Sequence, residues 1–596
     1  MRFAEEKIES FCGDVLPLSL AGDGNLSGAP VRWTAEGGAV RLRTFEAEAD
    51  HPFSDGALVT LVHPGTAEIT AELGTEICRC RITVREKQDF SGRPLRFFVG
   101  DFHDHTTTEH NHDRFAVRES GFPADMIRQI REEGRLDFHV ISDHASTLNP
   151  RDFFRGFCDA RAAAEGDPIV FAGSESEVEA VETDRFGIPH KNSGEIVTVN
   201  ADSFAGVHSW EEFYAAMAHS PHAVCVLAHP QIIGYSVPGV WNFSLHKNNT
   251  PSLLRLVKAV EMGNGTDRES NLINEYTYSV ALDNGFRLST TCSSDCHGPR
   301  WGADVFPGKT VILAPERSRE AFLDALEHRR FYASESGNVQ LSCSVNGQTA
   351  PCDLKEAREY EFRVSLGYFQ PDPSSEIVKC QLISDGGRTL RTLEHPGREF
   401  TFTVQSDSAR YFYLRLTDGE GRKTWSPPVW TGREIDAPMT EPIPLDPSGF
   451  TAFEEKTGRD ASVLLCGDPR RSWQAEAPET AVVIDMGKTQ TVCALGHYPP
   501  HLTRTQLKEE GASAPAKLAE FVHAYAISVS SDGVRYERCA EGIIRVYGGE
   551  EILSFPSCTA RYIRFEVLST AGRASERKQY ADARPCIGEL TVFTQK

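Results

Sequence analysis

GFPADMIRQIREEGRLDFHVISDH, residues 121–144, reads as a helix followed by a buried strand that ends on two residues able to do chemistry. Met126, Ile127 and Ile130 share one helical face, and LDFHVIS is an apolar run of strand length. Asp143 and His144 follow it. The runs PIVFAG (168–173), HAVCVLA (222–228), LVKAVEM (256–262) and FRLSTTC (286–292) repeat the pattern. Beyond them stand Glu175, His229, Glu261, and Asp295 with His297. Strands alternating with helices, with reactive side chains at the strand ends, are what a parallel α/β barrel requires. The pattern predicts such a barrel over residues 93–336.

Just upstream, GDFHDHTTTEHNHD (100–113) places His103 and His105 in alternation, so both imidazoles point to one side at a spacing suited to one metal ion. His110 and His112 follow within the same loop. A lone strand-end histidine is often structural, but five such ends converging on one barrel mouth argue for a metal site. His190, in FGIPHKNSGEIV (186–197), lies in a loop. Lys191 beside it and Arg300 after the last motif are the cations available to a phosphate oxygen, although each equally reads as a solvated surface charge.

The order HxH, (S/T)DH, G-x-E, H, AHP and SD-x-H resembles the polymerase and histidinol phosphatase (PHP) superfamily across the barrel segment. The barrel followed by strands ending KTWSPPVW (423–430) looks like its CehA/McbA-like branch. The resemblance implies a distorted (β/α)7 TIM-like barrel holding two or three divalent ions. Carried across motif by motif, His103, His105, Glu175 and Asp295 would hold the first ion, with Glu175 bridging to a second that also takes His190 and His229. His144 and His297 would hold a third with a histidine of the first loop, although neither His110 nor His112 sits at the commonest spacing. Glu261 is assigned to orienting a ligand, and Asp143 to orienting an imidazole.

Around this barrel the chain reads as β-sandwiches, in a multidomain protein. Residues 1–92 contain short alternating runs such as VRLRTF, GALVTLV, AEITAEL and CRCRITV, and resemble bacterial immunoglobulin-like domains. Residues 337–436 return to strand-and-turn sequence (EYEFRVSLGYF, IVKCQLIS, RYFYLRLTD), a second small sandwich. The proline-rich DAPMTEPIPLDPSG (436–449) is a linker. Residues 437–596 resemble discoidin, or coagulation factor type-C, modules through VVIDMGKTQ, YAISVSSDGVRYE, ARYIRFEV and IGELTVF. That resemblance implies a carbohydrate ligand as one use of the module.

The formal charge of −23 disfavours a general grip on nucleic acid polymers, and no apolar run is long enough to span a bilayer. The opening MRFAEEKIESFCGDV has no long apolar region, so a cytoplasmic location is expected; a chain beginning further upstream would be periplasmic or extracellular. Fifteen cysteines, an odd number without regular spacing, predict free thiols, with Cys78 and Cys80 alternating on a strand rather than binding metal.

The expected activity is therefore metal-dependent hydrolysis of a small or sugar-linked phosphoester by a hydroxide bridging two ions, with zinc, manganese or iron as candidates. A carbamate, ester or amide hydrolase on the same ions is the alternative, and a glycan-binding protein with an inactive barrel the third reading. Small-molecule or glycan-linked substrates are the expected partners.

Overall fold

Seven strands form the central sheet: β1 (Arg96–Asp101), β2 (Phe138–Ile141), β3 (Ile169–Glu177), β4 (Glu195–Val199), β5 (Val224–Leu227), β6 (Val257–Asn264) and β7 (Ser289–Ser293). The computed structural model describes the chain except residues 22–28, 46–53, 107–120, 164–167, 179–180, 192–193, 205–209, 218–219, 233–238, 241–254, 266–269, 304–305, 434–441, 502–513, 577 and 596. The seven strands neighbour one another in chain order. The sheet curls until its ends meet: Asp104, beyond β1, bridges Cys296, beyond β7, and Asp295 N–H donates to His103 O at 2.8 Å.

The helix read from residues 121–144 is α1 (Pro123–Glu133), which buries Met126, Ile127 and Ile130. Gly134 ends it with φ 64°, a left-handed turn that glycine adopts without strain, and its N–H donates to Ile130 O. Helices α2 (Pro150–Ala163), α3 (Trp210–Met217) and α4 (Asn274–Asp283) lie in the connections β2–β3, β4–β5 and β6–β7.

The strands are not parallel throughout, contrary to the sequence expectation. β1–β2, β2–β3, β5–β6 and β6–β7 pair in parallel, but β4 runs antiparallel to both β3 and β5. The connection from β3 to β4 folds, among its described residues, into a small ribbon, Val181–Thr183 with Pro189–Lys191, and not into a crossover helix. Parallel neighbours need a long crossover, whereas a chain that turns straight back pairs antiparallel. Close approach fixes the pairing: a Cβ on Gly173 would stand 1.9 Å from Thr198 O.

Alternation then decides what fills the curled sheet. Phe138, Val140, Phe171, Val197, Val199, Val224, Val226 and Ala259 join one buried cluster inside it. Their neighbours Ile141, Val170 and Ala172 pack outward against α1 and α2. Toward one end of the inner face the apolar residues give way to Glu175, Glu177, Glu195 and Glu261, which keep the same alternation.

Beyond β1 the sheet continues into β8 (Lys309–Ala314) and β9 (Phe331–Ser334), both antiparallel, with α5 (Arg319–Glu327) between them. At Ser334↔Thr424 it runs on into strands Tyr411–Asp418, Ile377–Ser384 and Arg388–Glu394. A separate sheet containing Val339–Val345, Glu359–Tyr368 and Glu399–Gln405 covers that extension, with Leu341, Phe362, Leu382 and Phe412 between the layers. The second sandwich therefore shares a sheet with the central region.

The first module is two four-stranded sheets around Leu18, Trp33, Val59, Ile69 and Ile82. It is anchored by Asp14, fully buried between Arg319 and Arg161, each at 2.9 Å. The C-terminal module centres on long strands Thr480–Tyr498 and Glu551–Thr570, and its core incorporates Ile273 and Tyr276 from the central region. The molecule is thus a β-rich multidomain protein with few helices. Its fifteen cysteines are free thiols. Among the described residues, no helix is long and apolar enough to cross a membrane.

Candidate metal centre

Seven of the side chains chosen from the sequence meet at the polar end of the curled sheet: His103, His105, His144, Glu175, His229, Asp295 and His297. His103 Nε2 and His105 Nε2 face each other at 3.1 Å. Glu175 Oε2 lies 3.1 Å from His103 Nε2, 3.4 Å from His105 Nε2 and 3.3 Å from His144 Nδ1. Its other oxygen, Oε1, is 3.3 Å from His229 Nε2. Asp295 Oδ1 is 3.0 Å from His105 Nε2, 3.6 Å from His103 Nε2 and 3.4 Å from His297 Nδ1. The His297 and His105 rings stack with centroids 4.1 Å apart.

Backbone geometry aims several of these groups. His229 and Asp295 both have positive φ, 22° and 49°, a left-handed conformation that costs energy for side chains other than glycine and recurs at functional sites. Asp295 is held there by its N–H to His103 O, and His229 by its N–H to Glu261 Oε2 at 2.9 Å. Glu261 Oε1 also faces His103 Nδ1 at 3.4 Å, which leaves Nε2 turned to the centre. Buried Trp301 donates Nε1–H to His105 O at 2.9 Å, and Asp143 accepts from Thr106 N–H and hydroxyl, fixing the chain at His105 and the residue after it.

The electrostatics follow from burying many carboxylates beside imidazoles. Burial disfavours the His103 imidazolium, but Glu175, Asp295 and Glu261 outweigh it and raise its pKa well above the ordinary value. Burial alone would lift Glu175 and Asp295, yet His103, with His144 or His105, holds both carboxyls below the usual range. Behind them lies a second polar layer. Asp104 accepts Cys296 N–H at 2.6 Å and sits 3.2 Å from His139; burial, then Asp101, pushes its carboxyl well up, while burial takes His139 down to about 4. Lys309 Nζ is 3.0 Å from Asp101 and donates to Ser294 Oγ at 2.9 Å, directly before Asp295.

The donor set fits divalent ions. His103–His105–Asp295, His103–Glu175–His229 and His105–His144–His297 each bring their ligand atoms within 4.8 Å of one another, a mixed imidazole and carboxylate chemistry that suits zinc, manganese or iron. Of the remaining expected residues, His110 and His112 lie outside the described residues, as do the side chains of His190 and Lys191, whose backbone forms the ribbon strand Pro189–Lys191. Arg300 is exposed on the turn after His297.

Two carboxylates at the centre were not read from the sequence. Glu195 Oε2 lies 3.0 Å from His229 Nε2, and Glu177 joins Glu195 and His144 in a further cluster of ligand atoms within 4.8 Å. Glu195 opens its strand instead of ending it. Because β4 runs backwards, its first residue, not its last, lands at the mouth. Alternation did hold a signal for Glu177, two residues beyond Glu175 on the same face.

No family model matches the chain. A curated protein from Chlamydia muridarum, described only as uncharacterized, is 25% identical over 142 residues, 21% of this chain and 22% of that protein, so the chain spans about a fifth of that relative's length. Among solved structures, the chain is similar to a putative chitobiase fragment from Bacteroides thetaiotaomicron, at 20% identity and TM-score 0.21, over 27% of this chain and 98% of that one. It is also similar to the family 32 carbohydrate-binding module of NanJ from Clostridium perfringens, solved with galactose, at 19% identity and TM-score 0.19, over 26% of this chain and 97% of that one.

Proposed function

We propose that this protein is a metal-dependent hydrolase acting on a small or sugar-linked phosphoester, and that its curled central sheet is a distorted barrel of the PHP kind. The observation that carries the reading is the convergence of five imidazoles and two carboxylates, delivered from the ends of β2, β3 and β5 and from the segments following β1 and β7, onto one polar mouth. Chance burial of so many ionisable groups would be costly, because each buried charge needs a partner.

Bound divalent ions supply Lewis acidity toward a substrate oxygen and lower the pKa of water. The chain's own residues prepare for that. Glu175 spans the centre, one oxygen toward His103 and His105 and the other toward His229. Glu261 fixes His103 and the His229 backbone, and Asp104 with Lys309 and Asp101 holds the strands beneath. The partly exposed His144 and His297 mark the side open to substrate. Arg300 and Lys191 are the cations proposed for the phosphate oxygens. By its sequence resemblance to discoidin modules, the C-terminal module is proposed to engage carbohydrate attached to the substrate.

Turnover of aryl phosphates, phosphodiesters and aryl carbamates by metal-loaded protein tests the reading. Phosphoester cleavage lost in Asp295→Ala is expected. Cleavage of the carbamate alone would replace the substrate class, and no turnover of any substrate by protein holding its ions would overturn it.

A further inference from the structure

The sequence motifs account for one wall of the mouth, and the β3/β4 pair forms another. Glu177 and Glu195 stand in register on these antiparallel strands, so their side chains leave the sheet on the same side. Glu175, two residues before Glu177, shares that side. Three carboxylates thus line one face of two paired strands, and like charges placed directly opposite repel. His144 approaches from β2: it bridges Glu175 through the backbone, and its side chain forms with Glu177 and Glu195 a group whose ligand atoms lie within 4.8 Å. His229 approaches from β5, 3.0 Å from Glu195 Oε2.

A further atom points the same way. Glu175 is 1% exposed, and its Oε1 faces His229 Nε2 at 3.3 Å, the same nitrogen that Glu195 Oε2 approaches at 3.0 Å. Two carboxylates thus converge on one imidazole, and a cation between them would offset their repulsion. Glu195, in contrast, is 20% exposed on its side chain, which leaves this side of the mouth open to solvent.

We propose that Glu195 and Glu177, with His144, form an additional divalent-cation site that extends the centre across the β3/β4 pair. The inference rests on the metal-centre reading above and goes beyond it in assigning two ligands that the family-like motifs do not contain. Two carboxylates and one imidazole make a harder donor set than the imidazole-rich positions around His105, so the site favours manganese(II)-like ions over zinc. Its placement follows from strand direction: only an antiparallel β4 brings the first residue of that strand to the mouth.

Manganese(II) binding to the full chain, counted from the EPR signal of free Mn2+, tests this without reference to turnover. The expected result is that Glu195→Gln and Glu177→Gln each bind one ion fewer per chain than the parent, or bind it at least about tenfold more weakly, the lower end of the range for lost carboxylate support at a metal site. Both amides keep the shape of the side chain, and matching thermal melts in chelator would show that each variant folds. Unchanged stoichiometry and affinity in both variants, with the parent binding two or more ions, would overturn this site and leave the metal-centre reading standing. A parent chain that binds no divalent ion would overturn both.

Discussion

His103, at the mouth of the curled sheet, and His497, in the C-terminal module, are both buried, yet they behave in opposite ways. At the mouth of the curled sheet, His103, His105 and His229 are at most 3% exposed and face carboxylates at 3.0 to 3.6 Å. In the C-terminal module, His497 is fully buried and its ring stacks near Phe565, while His523 packs against Tyr276. Burial pushes both of these imidazoles down to about 3. Burial raises the cost of a charge on any histidine. Convergent carboxylates reverse that cost and mark a place for a cation.

The largest difference between the regions should appear in turnover. Asp295→Ala or His105→Ala should lower kcat/KM more than about a hundredfold, since even the groups behind metal ligands are worth 10 to 100-fold. His497→Phe should leave it unchanged. Steady-state assays on metal-loaded protein make the comparison, and equal losses in both regions would dissolve it. Next in size is Glu261→Gln, which weakens the hold on His103 and on the His229 backbone; metal titration should show affinity reduced about 10 to 100-fold with the fold intact.

The C-terminal module offers a pH-dependent contrast. Its two histidines stay neutral when folded down to about pH 3, whereas the unfolded chain protonates them from about pH 6.5. Their contribution to stability is therefore full above about pH 6.5 and declines as pH falls toward 3, because the unfolded state takes up more protons. Denaturant unfolding at about pH 7.5 and about pH 5 should show a loss of up to about 2 kcal/mol per histidine, and His497→Phe should remove its share. A pH dependence left unchanged by His497→Phe would contradict the account.

The smallest effect is expected where the module touches the ribbon carrying His190. Arg185 pairs with Glu550 through two hydrogen bonds and lies over the Phe186 ring at 4.0 Å, and Tyr498 hydroxyl donates to Asp184. The guanidinium side chain is 36% exposed, so Arg185→Ala should cost under about 1 kcal/mol in unfolding free energy.

Much of the site was legible because strand-end residues follow directly from apolar runs. ISDH, GSES, LAHP and SSDCHG announced His144, Glu175, His229 and Asp295 with His297, and the structure brings all of them together. Glu195 was hidden for a physical reason: apolar periodicity gives a strand's extent but not its direction, and a rule that looks after each strand passes over a residue that opens one. The shared sheet between the central region and residues 377–425 was equally invisible, since one short pairing around Ser334↔Thr424 carries it across distant sequence. Nor could pattern separate His497 and His523 from the mouth histidines. All sit in or beside apolar strands, and only their neighbours in space differ.

The central claim is that the mouth of the curled sheet binds divalent ions through His103, His105, Glu175, His229 and Asp295. Elemental analysis of protein purified without chelator, beside Asp295→Ala prepared identically, tests it most directly. The account predicts two or more divalent ions per chain in the parent and fewer in the variant. Fewer than two ions in the parent, or an unchanged count in the variant, would contradict it.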